Sequence, residues 1–120
     1  MEGRLSEEFR LRTKKYAAHI IRFYVKLPRN RDEVKVIGRQ LLRSGSSVAG
    51  HVREASRARS RAEFVSKLGG ALQEADESSL WLELLLEECG VTDNEGKWLL
   101  NETGELIAIM TVMINRSRPK

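Results

Sequence analysis

One stretch constrains the fold more than any other. From Arg39 to Ala71 the chain reads RQLLRSGSSVAGHVREASRARSRAEFVSKLGGA. Apolar and small residues recur along it every three or four positions, the spacing of one face of an α-helix. The pattern breaks once. Ser60-Arg-Ala-Glu63, just ahead of Phe64, is a capping box: the serine oxygen can accept from the backbone of Glu63, and the glutamate can reach back. One helix must therefore end, and another start, across the short link Ser56 to Arg59.

Three further segments share this phase. Ser6 caps a first helix over 6–27, with Glu7 and Glu8 in its first turn. Phe9, Thr13, Tyr16, Ile20, Phe23 and Leu27 form its inner face; Ala17, Ile21 and Tyr24 widen it, and Arg10, Lys14, Arg22 and Lys26 stay wet. Pro28 closes the segment, because a residue before proline avoids the helical region. A second helix, over 30–57, starts from Asn30, whose spacing to Glu33 suits a capping box, and carries Val34, Ile37, Leu41, Val48, Val52 and Ala55 inward. Its missing core position falls at Ser44 or Gly45. The run Ser44 to Ser47 is a poor helix former and could be a loop; a helix with a local bend is preferred, because the apolar phase survives it. Gly45 and Gly50 are expected to admit a neighbouring backbone.

The third helix spans 60–89 and ends before Gly90, with Phe64, Leu68, Ala71, Ala75, Leu82, Leu85 and Cys89 inside and Val65, Leu72, Leu86 and Trp81 beside them. Thr92 to Glu95 reads as another capping box, starting a fourth helix over 92–115. Leu99, Leu106, Met110 and Met113 share its inner face. Trp98, Ile107, Ile109, Val112 and Ile114 are too many for one stripe, so this helix is either central or meets another subunit. Trp98, Ile107, Ile109 and Ile114 are its candidate oligomer-interface residues. Four helices with short links predict an all-α, antiparallel, up-down-up-down four-helix bundle, one domain over 1–120.

Charge is divided unevenly. Residues 1–67 hold 17 Lys and Arg against 7 Asp and Glu, whereas residues 68–120 hold 4 against 10. The stretch 39–71 alone carries seven basic residues, Arg39, Arg43, Arg53, Arg57, Arg59, Arg61 and Lys67, against Glu54 and Glu63. They are the candidate nucleic-acid-binding residues. Guanidinium groups grip phosphate in a fork, and a helix start favours anions. Such binding is blind to sequence and sensitive to salt, and no aromatic pair of the kind that stacks RNA bases is present. The alternative is structural: the same arginines pair with Glu54, Glu63 or the acidic third helix of a neighbour.

Other chemistries find little support. His19 and His51 fall on different helices, and no CxxC or HxxxH spacing occurs. The acids of the third helix lack the Glu-x-x-His motif of a di-metal bundle and read as a solvated face. Gly69-Gly70 has no Walker lysine and reads as close helix packing. Cys89 reads as a buried thiol, and a single cysteine allows no disulfide within the chain. No catalytic residue, metal site or cofactor is expected, and an enzyme is not the reading. No apolar run is long enough to cross a bilayer, and the N-terminus has no apolar core of a signal peptide, so the expected location is cytoplasmic and no membrane partner is expected.

Several of these residues also carry a resemblance. Gln40-Leu41-Leu42-Arg43, Ser47-Val48-Ala49, Glu54-Ala55, Arg57, Ser60-Arg-Ala-Glu63-Phe64 and Leu68 to Glu74 occur in the order typical of the small four-helix bundle proteins encoded in bacterial 23S ribosomal RNA intervening sequences. The chain departs from that pattern where His51 to Ala55 replaces a typical asparagine, isoleucine, alanine, glutamate, glycine run, and where Gly70-Ala71 replaces Gly-Ser. The resemblance implies a ring-shaped homopentamer without enzymatic activity. A related branch is similar to the accessory protein of diversity-generating retroelements, a basic barrel, which implies RNA or DNA and a reverse transcriptase as partners.

Overall fold

The capping serines set the helix starts. In a computed structural model, which describes residues 5–118, the Ser6 hydroxyl accepts from the Phe9 backbone and α1 runs over Glu7–Val25. Lys26 and Leu27 form a turn before Pro28 rather than prolonging the helix, their amides donating to Phe23 and Tyr24. α2 runs over Asp32–Ser56. Its cap is Arg31 and not Asn30, and no side chain completes a cap there. The expected box does not form because the Glu33 carboxylate is drawn to the Arg31 guanidinium at 2.9 Å. The second branch of that guanidinium donates to the Cys89 carbonyl at 2.8 Å, tying the start of α2 to the end of α3.

α2 continues unbroken through Ser44 to Ser47. Ser46 and Ser47 turn their hydroxyls back on the Leu42 and Arg43 carbonyls, each at 2.7 Å, a bond that helical serines make in place of one to water. The Ser60 cap forms as expected, accepting from the Glu63 backbone at 3.0 Å, and α3 covers Arg61–Glu87. It stops two residues before the expected end, where Gly90 takes a φ of 68° that other residues resist. α4 spans Asn94–Ser117. Asp93, not Thr92, caps it, its carboxylate accepting from the Glu95 backbone at 2.9 Å. At the far end Ser117 donates to the Met113 carbonyl, carrying the helix past the expected end at residue 115.

The four helices pack as an antiparallel four-helix bundle 49 × 22 × 21 Å in extent, each against its neighbours in sequence, with α1 and α4 closing the square. None is long and apolar enough to cross a membrane among the described residues. The apolar residues expected inside from Phe9 to Leu27, Val34 to Ala55 and Phe64 to Cys89 fill the core, with Ile37 at its edge. Ile21, expected to widen the inner face of α1, is instead exposed. A buried polar layer crosses the middle of the core, one residue from each helix. Tyr16 and Thr103 share a 2.6 Å hydrogen bond, and Ser44 and Ser78 one of 2.7 Å. Gly45 lies flat against Ile20, whose atoms stand 2.8 Å from where a Cβ would sit. Gly50 has nothing within 4 Å, so the close approach expected there does not occur. Of the pair Gly69-Gly70, only Gly70 is covered, by the His51 ring.

Candidate nucleic-acid interface

The helical phase of α2 decides which cations are available. Arg39, Arg43, Ser46, Gly50, Arg53 and Arg57 follow one another at steps of three or four, and all are exposed. They form a single outward row. Arg43 stands on the side of that row nearest α3, where its guanidinium donates to Glu74 at 3.1 Å and Glu77 at 2.9 Å. Those carboxylates, Glu77 first, raise the Arg43 pKa further and keep it charged. Lys67 on α3 reaches Glu54 on α2 at 3.4 Å. His51 beside it, and then Lys67, hold the Glu54 carboxyl below the usual carboxylate range. Arg59 lies 3.7 Å from Glu63, and Arg61 is not free either.

The seven candidates therefore divide. Arg43, Arg59, Arg61 and Lys67 are engaged within the chain. Arg39, Arg53 and Arg57 have no carboxylate partner among the described residues; Arg39 donates only to the Lys35 carbonyl, at 3.4 Å. Arg39 and Arg53 line the α1–α2 seam, where further cations meet them, and Arg57 continues the exposed row past the seam at the end of α2. Arg10, Lys14 and the acidic Glu7 of α1 join Arg53, Ala49 and Gly50 around an open groove of about 360 Å³. At the other end of the seam, Arg29, Lys35 and Arg39 line one of about 630 Å³, with Tyr24 and Pro28 in its wall. Arg39 and Arg53 stand roughly 21 Å apart along α2 at 1.5 Å per residue. The missing Cβ of Gly50 leaves the α2 backbone open at the floor of the first groove.

Sequence reasoning left Arg10 and Lys14 as merely wet and did not single out Arg29 or Lys35. The signal was present for three of them: Arg10, Lys14 and Lys35 sit on the flank of their helix that leads from the core face toward the outside, while Arg29 lies in the link between α1 and α2. Which neighbour that flank would meet depends on the order of helices around the bundle.

The proposed oligomer residues of α4 do not share one surface. Trp98 is exposed and its ring packs on His19, with centroids 4.6 Å apart. His19 in turn meets Glu95 at 3.2 Å. Ile109, half-buried, joins Ala108, Val112, Met113 and Arg116 around a shallow apolar groove on the same side of α4. Ile107 is half-buried on the opposite flank. Ile114 is only 5% exposed and belongs to the core, so it cannot present a face to another subunit. Cys89 is buried, and no group of three or more His, Cys, Asp or Glu could hold a metal among the described residues.

A family model described as 23S rRNA-intervening sequence protein matches residues 8–112. The chain belongs to this family. A crystal structure of a protein of unknown function from the S23 ribosomal protein family of Bacteroides thetaiotaomicron is 34% identical, covering 88% of this chain and 96% of that one, with a TM-score of 0.79. None of the curated proteins matches. The family thus accounts for the bundle, while the cationic seam is read from this chain's own residues.

Proposed function

We propose that this member of the 23S rRNA-intervening sequence family is a non-enzymatic, homo-oligomeric bundle that grips the backbone of RNA or DNA along its α1–α2 seam. The observation that carries the reading is the exposed row Arg39, Arg53 and Arg57, without a carboxylate partner among the described residues, with Arg10 and Lys14 beside Arg53 in one groove and Arg29 and Lys35 beside Arg39 in the other. Guanidinium groups keep their charge at neutral pH and offer forked donors that suit phosphate; they neither give nor take the protons that acid–base catalysis needs. Binding of this kind is set by the backbone and carries little sequence preference. Assembly into a ring, the homopentamer implied by the family resemblance, multiplies the patch and its field. A cytoplasmic location would give it access to RNA, and an accessory role beside a reverse transcriptase is a narrower form of the same surface chemistry.

A second reading, that the basic residues serve structure, is favoured for Arg43 and Lys67 by their ties to Glu74, Glu77 and Glu54. The two readings part in one experiment. Labelled duplex and single-stranded RNA and DNA are titrated at low salt with wild type, with Arg53→Glu/Arg57→Glu, and with Arg43→Glu. The proposal expects the double variant to lose at least about tenfold in affinity with its melting temperature unchanged, and Arg43→Glu to lower stability first. Undiminished binding by the double variant would place the interface elsewhere. No binding by wild type would leave the structural reading.

A further inference from the structure

Folding brings together two rings that the sequence keeps far apart. His19 of α1 and Trp98 of α4 pack with centroids 4.6 Å apart and planes tilted by 46°. Trp98 is nevertheless 43% exposed. The rings stand at an open groove of about 610 Å³, completed by Arg22, Asn94 and Glu95. Glu95 is the one carboxylate lining it among the described residues, and it is already engaged. His19 Nδ1 lies 3.2 Å from it and Lys26 Nζ donates to it at 3.5 Å. Arg22 has no carboxylate partner among the described residues. Asn94 adds an amide that can both donate and accept. This groove lies on the α4 side of α1, and the cationic seam on its α2 side. Arg22 of the groove and Val25 of the larger seam groove are one turn apart on α1, and α1 holds no acid after Glu8.

We propose that this groove is a nucleobase site: an unpaired base of a single strand stacks on Trp98 while Arg22 takes a flanking phosphate. An indole presents a flat π-face on which any base can stack, whatever the sequence. A guanidinium suits phosphate. A nucleotide carries both groups, so it answers to both features of the groove at once. An apolar helix laid over the ring would instead strand the Arg22 charge. Continuity with the seam points the same way. A strand held by its phosphates in the larger seam groove reaches Trp98 by crossing α1, a helix about 10–12 Å wide. The crossing runs over Ile21 and Val25, which are exposed, and α1 places no carboxylate in its path. Within a duplex the bases stay stacked on one another, whereas a single strand can splay a base onto an aromatic side chain. The seam thus takes the backbone of either form, and Trp98 adds a preference for single strands. The inference rests on the backbone binding proposed above and names the form of nucleic acid that this surface favours.

The test titrates wild type, Trp98→Ala and Trp98→Phe, each as the full chain, into labelled DNA probes at about 50 mM salt. The probes are a single strand, its duplex, and an abasic strand of the same length that keeps the phosphates and lacks the bases. Far-UV circular dichroism and sedimentation check that each variant keeps its helicity and mass. Trp98→Ala is expected to weaken single-strand binding about five- to hundredfold, the range for loss of one stacked base, and to bind duplex and abasic strand as wild type does. Trp98→Phe keeps a ring and should retain most of the single-strand affinity. Intrinsic fluorescence gives a second readout. Unlabelled single strand should quench wild type but not Trp98→Phe, whose remaining indole, Trp81, is half-buried. Equal losses on all the probes, or none on the single strand, overturn the proposal. So does a Trp98→Ala whose mass differs from that of wild type, since the ring would then belong to a contact between copies. Wild type that binds no probe overturns the backbone reading as well; wild type that binds every probe, with Trp98→Ala unchanged on each, overturns only the base site.

Discussion

Gly45 and Gly50 sit five residues apart on the same helix and do opposite things. A Cβ on Gly45 would stand 2.8–3.0 Å from three atoms of Ile20, a β-branched side chain with little freedom to move aside. Gly45→Ala should therefore destabilise by about 1–3 kcal/mol, the cost of overpacking outweighing the better helix propensity of alanine. Gly50 meets nothing within 4 Å, so Gly50→Ala should stabilise by up to about 1 kcal/mol. Urea melts of the two variants check both signs. The sequence showed that small residues interrupt an apolar phase here. It could not show which one faces a neighbour, because that depends on the rotation of α2 against α1. Tyr16 raises a similar point. Burial, ahead of its other surroundings, pushes its hydroxyl up to about 12 from an ordinary value of 10. The folded state thus holds the neutral phenol, and the sign follows. This contribution is complete below pH 10, where the unfolded chain also keeps its proton, and is lost as pH rises from 10 to 12. Tyr16→Phe should cost about 0.5–1.5 kcal/mol at pH 7 by removing the bond to Thr103, and should lose less stability than wild type between pH 9 and pH 11. Melts at those pH values measure it.

At the scale of elements, the four helices were legible because each repeats its apolar residues over many turns, and serine caps fixed two starts unambiguously. The cap misread at Asn30 fails through competition: Glu33 has a nearer cation in Arg31. The four α4 residues assigned to a subunit interface divide for another reason. An excess of apolar residues says that a helix has more than one contact, yet not which residue meets which. Ile114 is absorbed by the core and Ile107 turns to the flank away from Trp98 and Ile109. The ion pairs that tie α1 to α4 were not legible either, since they join residues at opposite ends of the sequence. Arg12 donates to both oxygens of Glu102, at 2.9 and 2.7 Å, and to Glu105 at 3.0 Å. The Glu102 bond above all raises the Arg12 pKa, so the guanidinium keeps its charge. The Glu102 side chain is only 11% exposed, so Arg12→Ala strands a mostly buried carboxylate. The expected loss is about 1–3 kcal/mol. It should appear as faster amide exchange in α1 and α4 ahead of α2 and α3, where the backbones pack over a longer stretch.

At the scale of the whole molecule, the uneven charge of the sequence becomes a geometric arrangement. Some basic residues of the first half pair with acids of the second, as Arg43 does with Glu74 and Glu77. Others collect on the α1–α2 seam, where Glu7 is the one carboxylate among the described residues that line the two grooves. The central claim is that this seam binds nucleic-acid backbone, and salt dependence tests it most directly. Wild type is titrated into labelled duplex by fluorescence anisotropy from about 50 to 200 mM salt, the range over which counterion release is usually read. Each phosphate neutralised adds about 0.9 to the slope of log affinity against log salt. Engagement of Arg39, Arg53 and Arg57 with even one cation across the seam predicts a slope of about −3 to −4, reduced by about 2 in Arg53→Glu/Arg57→Glu. Anisotropy that stays flat at 50 mM salt, or a slope near zero, would contradict the account.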